Sequence, residues 1–507
     1  MNTAKTKNLF SFVLVLISLL VCFAVVFALW GCSGKTENAK ETDAKGNTEN
    51  GGENGDDDNA DPFDTGYLPA YDLKGKDFKI IAYGKEDGTG LSYYWTDCEI
   101  GESLNDSMYR RNGKIEDRFN LRLNFHILGD TNLINHINKS IQSNDREYDL
   151  FVIHPAQYAQ SLLLNGYTLN WNSVKSINLD KPWWNQNIRE LLELGGYLPF
   201  VVSDFVFPSI IHTFMMVYNK QLQADLGVEN IYNLVDTGKW TWDKFYEIMK
   251  PVTIDLDGDG KMGTGDQYGF AANSVFHVTA MAYGAGIKAI ELDKNDYPEI
   301  VLYKNEKSVE FLDMMRELFA SKTIYEKDVN EINAGTLNPI SWDENRILFE
   351  TTWLMKMPEM RNANSDYGIV PFPKWDETQA QYHTFTDGRG SVLALPIYHD
   401  DVELVGTVVE ALSAESKRTV LPAYFENTLN AKFARDEDSI RMLQIILDGR
   451  VFDFGYMYRN SGEAITNIFQ TLMASKNKGF ASYYESQYEL WRAHFDSIYE
   501  KYREFGN

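Results

Sequence analysis

Between Phe78 and Ile153 short apolar runs alternate with segments of helical period, and this alternation limits the possible folds more than any other feature. Phe78-Lys79-Ile80-Ile81-Ala82-Tyr83-Gly84 is rich in β-formers and ends on a glycine. A helical pattern follows from about Leu104 to Phe119, then an alternating strand from Leu121 to His126. A second helix covers about Asn132 to Gln142, and Tyr148 to Ile153 is a largely apolar strand. Strand–helix alternation of this kind predicts a parallel α/β sheet with helices on both faces. Ligands of such sheets bind outside the carboxyl ends of the strands, which points to the loops after Gly84 and Ile153. Strands are expected again at about Tyr197 to Val202 and Phe214 to Tyr218, and later near residues 367–370 and 391–395. Residues 461–502 are helical in pattern. The body reads as two α/β lobes with helical additions.

Charge and cysteine usage narrow the partners. The 507 residues carry 73 acidic against 48 basic side chains, a net charge of −25. That field repels a phosphate backbone, so no nucleic-acid partner is expected; neutral ligands or cations suit it better. Of the three cysteines, Cys22 and Cys32 lie near the N-terminus and only Cys98 stands in the body, which excludes a disulfide within it. The 29 Tyr, 29 Phe and 11 Trp supply core and, where exposed, rings for a ligand cleft.

Lys5 and Lys7 precede an apolar run from Leu9 to Trp30, and Leu29-Trp30-Gly31-Cys32 leads into polar Ser33-Gly34-Lys35. A basic start, an apolar stretch and a small residue at the cut site describe a secretory signal. Leu, a spacer and Gly-Cys resemble the bacterial lipobox, so residues 1–32 are expected to be a lipoprotein signal with Cys32 lipidated. The run is also long enough to remain as an uncleaved anchor. Either outcome tethers the body to the outer face of the cell membrane. Residues 33–70 are dominated by Asn, Glu, Asp, Thr and Gly and are expected to form a flexible acidic linker.

One segment has sharp local chemistry. Asp255, Asp257 and Asp259 stand at positions 1, 3 and 5 of a calcium-loop spacing, with Gly260 at the turn, Lys261 offering its carbonyl and Asp266 closing the loop. Ca²⁺ takes six to eight oxygens, and this spacing wraps them around one point. A structural Ca²⁺ is expected there; the competing possibility is an acidic turn that holds no ion. No H-E-x-x-H, G-x-S-x-G or P-loop match occurs in the chain.

Several segments together resemble the carbohydrate-class (family 1) extracellular solute-binding proteins of bacterial ABC importers. They are Phe214-Met215-Met216-Val217-Tyr218-Asn219-Lys220 with Leu226-Gly227 and Lys239-Trp240-Thr241-Trp242-Asp243, and the calcium-like loop followed by Tyr268-Gly269. Further on come Leu348-Phe349, Thr352-Trp353-Leu354 and Tyr367-Gly368-Ile369-Val370-Pro371-Phe372-Pro373, then Leu421-Pro422-Ala423-Tyr424-Phe425. The usual Pro before Thr241-Trp242 is replaced by Gly238-Lys239. The resemblance implies a two-lobe, periplasmic-binding-protein-like (type II) α/β fold with a hinge and an interlobe cleft. Lobe one would be residues 71–205 plus about 374–410, and lobe two residues 206–373 plus about 411–507. It implies a monomeric lipoprotein that captures a carbohydrate and passes it to the importer's permease subunits, with no catalytic residues. Sugars in such clefts are held by stacked rings and by carboxylates, amides and Arg. The corresponding positions are Trp95 (or Tyr94), Gln157, Asp204, Trp353, and Asp387 or Arg389. Trp183, Trp184 and Trp342 are expected in packing as readily as in binding. A tethered glycoside hydrolase, which needs two carboxylates at fixed separation, and a lipoprotein that senses rather than transports remain open at this stage.

Overall fold

A computed structural model describes residues 61–84, 93–303, 306–326, 345–360, 365–387, 390–429, 437–459, 464–475 and 477–506. Within it β1 (Lys76–Tyr83) is followed by α1 (Ser103–Phe119), β2 (Leu121–Leu128), α2 (Asp130–Ser143), β3 (Leu150–Ile153) and α3 (Pro155–Leu164). The side chain of Glu102 caps α1 by accepting from Asn105 N, and Asn120 ends it in the left-handed region at φ 47°. Met108, Arg111, Asn112, Ile115 and Phe119 line its buried face, at the spacing of a helical stripe. Arg111 is the one charged residue in that stripe. Its guanidinium donates to Tyr94 O and Ser416 Oγ and lies 5.4 Å from the Phe205 ring, and burial pushes its pKa down to about 9.

The first sheet has the order β12-β3-β1-β2, where β12 is Val392–Ala394. β1 runs parallel to both β2 and β3, with Ile80 opposite Phe125 and Leu150. β12 runs antiparallel to β3, so the sheet is mixed where a parallel one is predicted. The reason is connectivity: β12 arrives from the other half of the molecule, not through a crossover helix, and nothing forces it parallel.

After α4 (Gln186–Leu192) the chain crosses to the second sheet. The second sheet contains β4 (Phe214–Asn219), β5 (Tyr268–Ala272), β8 (Ile324–Glu326), β9 (Ile347–Trp353) and β10 (Tyr367–Val370), in the order β10-β4-β9-β5-β8. β5 follows α5 (Trp242–Met249), and a small hairpin, β6 (Ile290–Leu292) and β7 (Pro298–Ile300), lies between β5 and β8. The expected strand at 197–202 forms only isolated bridges, Leu194 to Tyr197 and Val201 to Leu393; Pro199 has no N–H to give a ladder. Val201 and Leu393 exchange backbone bonds of 3.1 and 2.8 Å, and Thr213 bridges Thr386. The outgoing and returning crossings therefore run side by side. Near the return, β11 (Thr384–Phe385) pairs with β13 (Arg450–Val451).

The C-terminal helices contact both sheets' surroundings. α6 (Val402–Glu415) and α7 (Leu421–Leu429) pack on α1, α8 (Glu437–Asp448) on β10, α9 (Phe454–Met457) on α3 and β6, and α10 (Phe480–Gly506) on α3 and β7. The segment assigned above to lobe two thus touches elements of both halves. One apolar cluster runs continuously from Phe78 and Ile80 through Phe205 and Phe214 to Phe349 and Tyr502.

Candidate ligand-binding site

β3 ends at Ile153, and His154 leads into α3, whose first residue is Pro155, a position where the missing N–H costs nothing. His154 is buried and meets Tyr83, the last residue of β1, edge to face at 5.1 Å. In the second sheet β9 ends on the half-buried Trp353. Its ring packs on Phe214 at 4.9 Å, His277 at 5.7 Å and Phe276 at 5.8 Å. The crossing segment anchors two of the candidates: Leu354 N donates to Thr213 O, and Asp387 N to His212 O, both at 3.0 Å. Asp387 also lines a small cavity with Pro155 and Tyr456. Arg459 Nε donates to Ala156 O at 3.1 Å, and its guanidinium lies 5.1 Å from the Tyr456 ring. The start of α3, Tyr456, Arg459 and Asp387 therefore share one neighbourhood, tied through residues 212–214 to Trp353. Rings, a carboxylate, a guanidinium and helix-start amides are the groups that grip a polyhydroxylated ligand.

The other expected residues fall as follows. Gln157, in the first turn of α3, is exposed. Trp95 is half-buried, while Tyr94 beside it is fully buried against Phe125, at 6.1 Å, and Phe205, at 6.2 Å. Of that pair, Tyr94 is core. Arg389 and Trp342 lie outside the described residues, as do the N-terminal segment and Cys32. Asp204 is not among the residues around Asp387: it lines a separate polar cavity with Trp184, Lys417 and Arg450. Trp183 and Trp184 are buried, the latter donating Nε1 to Glu410 at 3.1 Å. His154 was legible as the residue directly after a carboxyl-terminal strand end. Tyr456 and Arg459 lie about 300 residues further on, in a segment with no pattern that points back to α3.

The acidic loop joins α5 to β5. Ligand oxygens of Asp255, Asp257 and Asp259 lie within 4.8 Å of one another. Asp255 accepts from Gly258 N at 2.6 Å and Gly260 N at 2.8 Å, and both glycines have positive φ, 72° and 79°, which favours glycine there. Asp266 takes no part in that cluster. Its two oxygens accept from Leu256 N at 2.9 Å and Gly263 N at 2.6 Å, and backbone bonds from Gly263, then Leu256 and Asp257, hold its carboxyl below the usual range. Lys261 is exposed, its N–H donating to Asp259 at 2.7 Å. Three of the four expected carboxylates converge, and Asp266 clamps the ends of the loop instead.

Comparison with known proteins gives consistent results. The family model for bacterial extracellular solute-binding proteins matches residues 111–390. A search of curated proteins returns no match. Among solved structures, an ABC substrate-binding protein from Listeria monocytogenes in complex with cycloalternan is 13% identical, with a TM-score of 0.53 over 84% of this chain and 98% of that one. The extracellular solute-binding protein from Staphylococcus aureus in complex with maltose is 11% identical, with a TM-score of 0.54 over 84% and 97%. The galacto-N-biose/lacto-N-biose I-binding protein of an ABC transporter from Bifidobacterium longum, in complex with lacto-N-biose, is 11% identical, with a TM-score of 0.54 over 85% and 97%. At these identities the likeness establishes the fold, a two-lobe arrangement of the periplasmic-binding-protein type. Among the described residues no helix is long and apolar enough to cross a membrane.

Proposed function

The chain belongs to the bacterial extracellular solute-binding protein family, and from that membership we propose that it captures an oligosaccharide and delivers it to an ABC importer. The observation that carries this reading is the neighbourhood of Trp353, Asp387, Arg459 and the start of α3, assembled from both sheets and the crossing between them. The ring of Trp353 stacks on a sugar face, while Asp387 and Arg459 take its hydroxyls. Trp95, Gln157 and Arg389 complete the contacts. The three neighbours above were solved with cycloalternan, maltose and lacto-N-biose, which supports a carbohydrate cargo. Closure of the lobes follows as a population shift, since a ligand gripped from both sides favours the closed state.

Cys32 carries the lipid that keeps the protein beside the permease, and the acidic linker gives the body reach. A Ca²⁺ ion binds Asp255, Asp257 and Asp259, whose spacing supports a hard cation; its role is to hold the loop between α5 and β5. The family and the neighbours are binding proteins, and no catalytic step is assigned to any residue.

The test is a thermal-shift and calorimetric screen of the body from Asp61 onward against a glycan panel, since a ligand of the native state raises the melting temperature by mass action. One glycan class should bind and be recovered intact, and Trp353→Ala should weaken it at least about tenfold, the loss of roughly 1.4 kcal/mol or more. Cleaved glycan, or binding indifferent to Trp353→Ala, would overturn the proposal.

A further inference from the structure

Asp204 stands on the outgoing crossing, 9% exposed, with its backbone N–H donating to Trp183 O at 2.9 Å. Its Oδ2 forms an ion pair with Lys417 Nζ at 3.2 Å. The carboxylate lines a cavity of about 250 Å³ together with Trp184, Asn187, Lys417, Asp448 and Arg450. That far exceeds the roughly 10–15 Å³ that a single buried water needs. Four separate parts of the chain meet there: the turn before α4 and its first residues, the crossing, the segment after α6, and the end of α8 with β13. A second cavity of about 450 Å³ shares Asn187, Asp448 and Arg450 with it. Neither cavity is lined by Trp95, Gln157, Trp353 or Asp387.

The charges select the ligand. Asp204 and Asp448 oppose Lys417 and Arg450, so the lining is neutral in sum. An inorganic anion held by the two cations would face two carboxylates, and a metal cation held by the carboxylates would face an ammonium and a guanidinium. A hydroxyl escapes this conflict, because it accepts from the cations and donates to the carboxylates at the same time. Adjacent hydroxyls on one ring can reach several of these groups at once, and about 250 Å³ suits a single ring. We propose that this cavity is a second binding site, distinct from the cargo site, for one neutral polyhydroxylated molecule of monosaccharide size. The proposal stands on the cavity and its lining and does not require the cargo to be a carbohydrate.

The experiment is isothermal titration of the body from Asp61 onward with a panel of free hexoses, N-acetylhexosamines and hexitols. The native protein, Asp204→Asn, Asn187→Leu and Trp353→Ala are compared, each checked for native circular dichroism. Asp204→Asn keeps the shape and removes the charge, and Asn187→Leu removes an amide at the cavity edge, whose Nδ2 donates to Arg450 O at 3.2 Å, while all four charged side chains stay in place. At least one monomeric polyol should bind the native protein, with affinity about tenfold lower in both cavity variants, the scale of one lost hydrogen bond to a charged group, and within twofold of native in Trp353→Ala. Absence of binding across the panel would overturn the second site and leave the cargo proposal standing. Binding abolished by Trp353→Ala, or left intact by both cavity variants, would place the polyol in the cargo site and overturn the second site equally. Failure of the oligosaccharide screen alone would count only against the cargo.

Discussion

Glu410 has no solvent exposure, and its carboxylate accepts from the Tyr67 hydroxyl, from Asn178 N and from Trp184 Nε1. Those three donors are why a charged side chain is tolerated on the inner face of α6. Glu410→Leu would leave them without an acceptor, and we expect a loss of about 3 kcal/mol or more, read from urea denaturation at neutral pH. His383 shows the opposite case, a group kept neutral by its surroundings. Burial, then the charges of Lys288 and Lys307, lower its pKa from 6.5 to about 4. Between those two values the unfolded chain binds a proton that the folded chain does not, so stability falls as pH drops through that window. Above 6.5 the imidazole is neutral in both states and contributes nothing. His383→Gln should therefore lose less stability than the native chain between pH 7 and pH 4.5. The difference should be on the order of 2 kcal/mol, at about 1.4 kcal/mol per proton per pH unit, and urea midpoints at the two pH values measure it.

Among the elements, β5 shows how closely backbone can be packed. A Cβ built on Gly269 would stand 2.0 Å from the carbonyl oxygen of Met249, at the end of α5. No side-chain rotation relieves a clash with backbone, so Gly269→Ala should cost about 3 kcal/mol or more and lower the urea midpoint accordingly. The loop just before β5 depends on Asp266. Its carboxyl is held below its ordinary 3.8 by backbone bonds, first that from Gly263, so its contribution is present above that value and is lost as pH falls through the lowered pKa. Asp266→Asn should lower the melting temperature at pH 7, with the gap to the native chain closing as pH falls below 3.8. In the same loop, chelator should lower the native melting temperature and calcium restore it, whereas Asp257→Asn should respond to neither; a native chain indifferent to both would remove the ion from the proposal. The helical stripe of α1 and the strand runs of β1 to β3 were legible because periodicity reports directly which face is buried. The run 197–202 misled, because its apolar residues serve a crossing whose bonds are isolated bridges.

Over the whole molecule, α10 ties the C-terminal part of the described residues to segments far earlier in the chain. Phe480, Tyr483, Tyr484, Trp491, Phe495, Ile498 and Tyr502 are buried in it, and Tyr502 meets Tyr197 at 5.9 Å, more than 300 residues earlier. At roughly 1.5–3 kcal/mol for each buried large side chain, before the entropy of ordering the helix, the burial lost with α10 is at least comparable to the roughly 5–15 kcal/mol by which a whole domain is stable. A chain ended after Gly479 should lack near-UV circular dichroism and a cooperative melt; a native-like melt would show that α10 is an appendage. The single apolar cluster linking both sheets explains why the loss should be global. The amino-acid sequence by itself determined the α/β class, the two groups of strands and the family resemblance, because burial periodicity and short motifs are local properties. Only the tertiary structure decided that Arg459 and Tyr456 stand against the start of α3, that Asp266 clamps its loop and stays out of the acidic cluster, and that Asp204 lines a different cavity from Asp387. Each of these depends on which distant segments meet, and that is fixed by the packing of the whole core, not by the neighbours of a residue along the chain.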